Sequence, residues 1–101
     1  MEWLVRMHIK IPPDMGADQK TRLYALEAVY AHQLAANGML RRLWRVPCGT
    51  DNVGLWEAQD ATVLHDAIVK FPLFRYMTID VTPLAFNHND PGLTSPERNT
   101  P

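Results

Sequence analysis

The sequence predicts an α+β domain, a four-stranded antiparallel sheet with two helices packed on one of its faces. Three observations carry that prediction: four short segments alternate apolar and polar residues, two longer segments repeat at helical spacing, and they follow one another as strand, helix, strand, strand, helix, strand. This order is the ferredoxin-like plan.

Taking the elements in turn, Trp3, Val5, Met7, Ile9 and Ile11 alternate with Leu4, Arg6, His8 and Lys10, a strand with one apolar face that ends at Pro12-Pro13. A helix is expected from Asp18 to Asn37, closed by Asn37-Gly38, residues that tolerate the left-handed turn a helix end requires. Leu40 to Val46 and Asn52 to Trp56 read as two strands, and the Pro47–Asp51 turn makes them a hairpin. Asp60 can cap a second helix, in which Leu64, Ala67, Ile68 and Phe71 form one stripe before Pro72. Met77, Ile79 and Val81 then alternate with Thr78, Asp80 and Thr82 as a fourth strand. With Trp3, Trp44 and Trp56 all on strands and little chain left to cover the face without helices, that face is expected to be buried against a second copy. Residues 1–85 form the expected domain. Residues 86–101, rich in Asn, Pro, Thr and Asp, form a tail that docks on a neighbouring subunit or is disordered.

Composition narrows the function. The 101 residues are 47% hydrophobic with a net charge of −1, enough for one core and without the basic excess of a nucleic-acid binder. No apolar run is long enough for a membrane span and the N-terminal residues do not resemble a signal peptide, so a cytosolic protein is expected. Cys48 is the single cysteine, which excludes an intrachain disulfide, and no base stands beside it in its Pro47-Cys48-Gly49 turn. His8, His32, His65 and His88 lie on different elements without the spacing of a metal site.

The sharpest chemical signal is Glu27. At about 100° per residue, Leu23, Leu26, Tyr30 and Leu34 span an arc of about 80°, and Glu27 falls about 40° from Leu23, at the arc's edge. A carboxylate among apolar side chains acquires a raised pKa unless a cation or donor compensates, and a raised pKa suits a base working near neutral pH. The bland alternative is that Glu27 reaches out to solvent or pairs with one of the ten Lys and Arg residues.

Four segments together carry a family resemblance. Leu43-Trp44-Arg45, Leu64-His65, Phe71-Pro72-Leu73-Phe74-Arg75-Tyr76-Met77 and Ile79-Asp80-Val81, with the Lys10-x-Pro12 and Asp14-Met15 spacings, resemble the muconolactone isomerase family over residues 1–85. The resemblance implies a dimeric α+β barrel built into a decamer-type homo-oligomer, and cofactor-free chemistry on a small unsaturated lactone with a carboxymethyl arm. It also implies Glu27 as the general base. The family's Tyr-x-Asn pattern reads Thr50-Asp51-Asn52 here, so the amide of Asn52 is kept as a catalytic donor and the phenol is replaced by Thr50. Leu26, beside Glu27, and Thr50 would give a less polar, roomier pocket. That departure favours the family's chloromuconolactone dehalogenase branch, which eliminates HCl and needs no acid for a second carbon. A muconolactone isomerase is the alternative, and a non-catalytic ligand-binding barrel protein is a third reading. For the substrate carboxylate the sequence offers Arg6, Lys10, Arg45 and Arg75. Trp44 and Phe71 either line the pocket or fill the core.

Overall fold

Alternation along the strands decides which residues meet the helices. A computed structural model describes residues 1–92 and contains β1 (Glu2–Ile9), α1 (Ala17–Ala36), β2 (Leu40–Arg45), β3 (Asn52–Glu57), α2 (Ala61–Ile68) and β4 (Met77–Leu84), with a short 3-10 turn at Phe74–Tyr76. The sheet is antiparallel in the order β2-β3-β1-β4. Register places Trp3 opposite Trp56, Val5 opposite Gly54 and Met7 opposite Asn52, so these residues share one face.

The helices cover that face. Leu34 of α1 and Leu64, Ala67 and Ile68 of α2 close over Trp3, Val5, Met7 and Trp56, with Phe71 between them, in one buried cluster. Each fully buried large apolar side chain, such as Leu64, contributes about 1.5–3 kcal/mol relative to exposure. The anticipated ends are present. Asp60 accepts the Val63 N–H at 2.9 Å and starts α2. Asn37 accepts the Met39 N–H at 3.0 Å while Gly38, at φ +83°, turns the chain out of α1.

Two expectations are corrected. Trp3 and Trp56 are not available to the open face of the sheet, because they point into the helix-covered core and are 6% and 1% exposed. Only Trp44 stands on the open side, under the Arg42 guanidinium at 5.0 Å. The cause is a β-bulge between Leu40 and Arg42, which shifts the β2–β3 register by one residue. Leu40 faces the core opposite Trp56; beyond the bulge Leu43 and Arg45 take that side, opposite Gly54 and Asn52, and Trp44 turns away. The second correction concerns α1, whose buried face is made by Leu23, Glu27, Tyr30, Ala31 and Leu34, whereas Leu26 is 50% exposed. Glu27 therefore sits in the middle of the buried arc and not at its edge.

After β4, Asn87–Asp90 make a turn closed by the Asp90 N–H on the Asn87 carbonyl at 3.1 Å. For residues 93–101 the expectation of a docking or disordered tail lies outside the described residues. Among the described residues no helix is long and apolar enough to cross a membrane.

Candidate active site around Glu27

Between α1 and the sheet lies a cavity of about 80 Å³ whose walls are Val5, Met7, Ala31, Leu40, Leu43, Gly54, Trp56, Phe71 and Met77, with two polar side chains, Glu27 and Asn52. That volume is several times the ~10–15 Å³ a single water needs. A wider groove of about 390 Å³ runs between α2 and β4, but His65 is the single ionisable residue along it. Size therefore does not locate the chemistry; convergence of polar groups in an apolar setting does.

Glu27 comes down from α1 into this cavity and, among the described residues, makes one hydrogen bond, its Oε1 accepting the backbone N–H of Leu73 at 3.0 Å. Among the described residues no Lys, Arg or His pairs with it. Burial pushes its carboxyl above the ordinary 4.5, and the Leu73 N–H offsets only part of that rise. The bland alternative, an ion-paired or solvent-seeking Glu27, is not what the fold contains.

Asn52 opens β3, across from Met7 on one side and Arg45 on the other. Its side-chain amide makes no hydrogen bond among the described residues, which leaves it free to bind a ligand in the cavity that it shares with Glu27.

The other candidates lie elsewhere. Thr50 is exposed in the β2–β3 turn and uses its carbonyl to accept from Arg45 Nη1. Arg45 shares a sheet face with Asn52 by register but is committed to that turn. Leu26 points outward from α1, and Trp44 lies on the far side of the sheet. Arg6 is on that far side too, where its Nη2 lies 2.8 Å from Asp51 Oδ2 while His8 Nδ1 is 2.6 Å from Oδ1. The structure thus brings Glu27 and Asn52 together, and leaves Thr50, Leu26, Arg6, Arg45 and Trp44 outside the cavity of this subunit.

Sequence reasoning missed Gly54 and Trp56 as cavity walls. The available signal was parity: both lie an even number of positions after Asn52, on the same face of β3.

The surroundings of Glu27 can be set beside proteins of known activity. The family model for muconolactone delta-isomerase matches residues 1–90. Muconolactone Delta-isomerase of Cupriavidus pinatubonensis is 40% identical over 85 residues, covering 84% of this chain and 92% of the relative. The Pseudomonas aeruginosa protein of the same name is 38% identical over 77 residues, with 76% and 80% covered. A crystal structure of muconolactone isomerase at 3.3 Å superposes with a TM-score of 0.81 at 34% identity, covering 86% of this chain and 91% of that one. A family match over nearly the whole described chain, close relatives along most of their length and a shared fold place this chain in the muconolactone delta-isomerase family.

Proposed function

We propose that the chain is a cofactor-independent enzyme of aromatic degradation that isomerises muconolactone or a close substituted relative, with Glu27 as the base. The observation that carries this reading is an unpaired, half-buried carboxylate facing an apolar cavity, its pKa raised by burial. Glu27 takes the proton from the ring carbon bearing the carboxymethyl arm. The released electron pair enters the conjugated system, the double bond shifts, and negative charge collects on the lactone carbonyl oxygen. Return of the proton to the carbon next to that carbonyl completes a one-position shift of the double bond. The Asn52 amide is the donor assigned to the developing oxyanion. The isomerase names of the relatives put this reaction first.

Chloromuconolactone dehalogenation is the second reading, favoured by the apolar walls and by Thr50, which supplies no phenol and lies outside the cavity. The same proton would be taken, its electron pair would form a double bond to the exocyclic carbon, and chloride would leave with the carbon–chlorine pair. No second carbon then needs a proton. For the substrate carboxylate, Arg45 has the best claim by register, and Arg6, Thr50, Leu26 and Trp44 would contribute only from a neighbouring subunit.

The proposed assembly is a homo-oligomer of the decamer type. Its support is the open sheet face, where Leu4, Val53, Leu55 and Trp44 remain partly or largely exposed, and the outer side of α1, where Leu26 and Val29 are 50% and 54% exposed. In the same reading residues 1–85 are the folded domain. Light scattering should give a particle several times the 11.5 kDa chain; a monomer would remove this part of the reading.

The deciding experiment is a parallel ultraviolet assay with muconolactone and 5-chloromuconolactone, with chloride release followed in the second. Turnover of muconolactone supports the isomerase. Chloride and a dienelactone without muconolactone turnover would make the enzyme a dehalogenase, and no reaction with either would leave a binding protein.

A further inference from the structure

Trp56 presents an unused hydrogen-bond donor to the Glu27 cavity. The indole is 1% exposed, yet no described residue accepts its Nε1–H. The contrast within the same sheet is Trp3, directly opposite in register, whose Nε1–H is bonded to the Ala58 carbonyl at 3.2 Å. Buried donors are rarely left without an acceptor, and an exception calls for a reason. Among the described residues no unpartnered side-chain nitrogen or oxygen is sealed off completely, so the Trp56 N–H opens onto free space.

Gly54 identifies that space. A Cβ built on Gly54 would lie 2.8 Å from Trp56 Nε1 and 3.4 Å from a Leu40 methyl. Gly54 and Trp56 lie on the same face of β3, and both line the cavity that holds Glu27 and Asn52. The indole edge therefore leans over a backbone kept bare by glycine, with its N–H on the cavity side. Any larger residue at 54 would occupy the position that an acceptor needs.

We propose that the Trp56 Nε1–H is a catalytic donor that binds the carbonyl oxygen of an unsaturated lactone, where charge collects when Glu27 removes the ring proton. This rests on the reading of Glu27 as the base, and it makes Trp56 the partner of Asn52 in holding that oxygen. A neutral donor fixed in an apolar wall suits an oxygen that is weakly basic in the ground state and anionic in the transition state. Gly54 acts as a positioning residue, through the space that it leaves.

The test combines kinetics with a spectroscopic readout that does not depend on turnover. Trp56→Phe keeps an aromatic ring and removes the N–H; it is expected to lower kcat by roughly 10²-fold with KM changed much less, as for loss of one oxyanion donor. In the wild-type protein with ¹⁵N-labelled tryptophan, the saturated lactone carrying the same carboxymethyl arm, which cannot shift a double bond, is expected to move the Trp56 indole N–H resonance downfield. The Trp3 resonance should stay in place. A kcat within about twofold of wild type in Trp56→Phe, or saturable binding of the saturated lactone that leaves the Trp56 resonance fixed, would overturn the proposal. If the wild type converted neither lactone, the reading of Glu27 would fall with that result, and the resonance alone would decide whether Trp56 holds the carbonyl.

Discussion

Glu27 and Leu73, 46 positions apart, are joined by a 3.0 Å hydrogen bond from the Leu73 backbone N–H to the Glu27 carboxylate. The bond has a local cause. Within the turn that follows α2, the Phe74 N–H goes to the Phe71 carbonyl and the Tyr76 N–H to the Leu73 carbonyl, while Pro72 has no N–H to give. Leu73 is completely buried, so its own N–H requires an acceptor, and Glu27 supplies one from the other helix. The contact fixes the carboxylate over the cavity with a single donor, too little to return its pKa to the ordinary range.

Glu27→Gln should separate stability from chemistry. Gln can still accept the Leu73 N–H, so the turn keeps its partner. A carboxyl whose pKa is raised on folding contributes stability below its unfolded pKa and loses it as pH rises through the folded value. At neutral pH the ionised Glu27 therefore destabilises, and the Gln variant should melt at the same temperature as wild type or higher, with the advantage vanishing below about pH 4. Turnover should fall by roughly 10²–10⁴-fold. Calorimetry across pH beside the lactone assay checks both, and a lower melting temperature at neutral pH would contradict this account of Glu27.

The pH profile of kcat/KM should carry the same signature. Glu27 must be ionised to act as a base, so activity should decline on the acid side through an apparent pKa above 4.5. Initial rates measured across the acid range locate that limb. A limb at or below 4.5 would mean that burial does not govern the group.

Tyr30 tests the joint between the two helices. Its hydroxyl donates to the Ala67 carbonyl at 2.6 Å, and its ring meets Phe71 edge-on at 4.9 Å. Tyr30→Phe keeps the ring contact and removes the bond, so denaturant unfolding should show a loss of about 0.5–1.5 kcal/mol. The Tyr30 side chain is not a wall of the Glu27 cavity, and kcat should stay close to wild type.

Asp51 should matter for stability in the opposite pH direction. Hydrogen bonds from His8 and Arg6 hold its carboxyl below the ordinary 3.8. A lowered pKa contributes stability above the unfolded value that is lost as pH falls through the folded one. Asp51→Asn is therefore expected to lower the melting temperature at pH 7, with the gap closing in strong acid and narrowing at high salt. Melting curves at several pH values distinguish this from a contact of no consequence.

Much of the fold was legible because its elements are locally consistent. Alternation at Trp3 to Ile9, the Asn37-Gly38 stop and the Asp60 cap each named an element now present, with most ends shifted by a residue or two; α2 stops at Ile68, so Phe71, expected on its stripe, reaches the core from the turn beyond the helix. The site was half legible. Glu27 stood out as a charge in an apolar pattern, but α1 is apolar on several sides through its many alanines, and the pattern did not show that Leu26 turns outward. Thr50 and Leu26 lie near Asn52 and Glu27 in the chain but outside their cavity. Gly54 and Trp56 were hidden because a glycine and an apolar ring on a strand read as packing until neighbouring strands bring them against Glu27.

The bulge at Arg41 gives β2 two settings. Its extra residue is the reason Leu43, and not Trp44, meets the Glu27 cavity. Drawing Arg41 into the regular ladder, with the chain length unchanged, would exchange every later side chain of the strand between the two faces, sending an indole toward the cavity and Leu43 to the open side, whereas deleting Arg41 would remove the bulge and leave Leu43 opposite Gly54. Few point substitutions could redraw the cavity wall so completely. In this fold the lining of the cavity is thus set by the register of an edge strand, which can slip without breaking the β1–β3 and β1–β4 pairings.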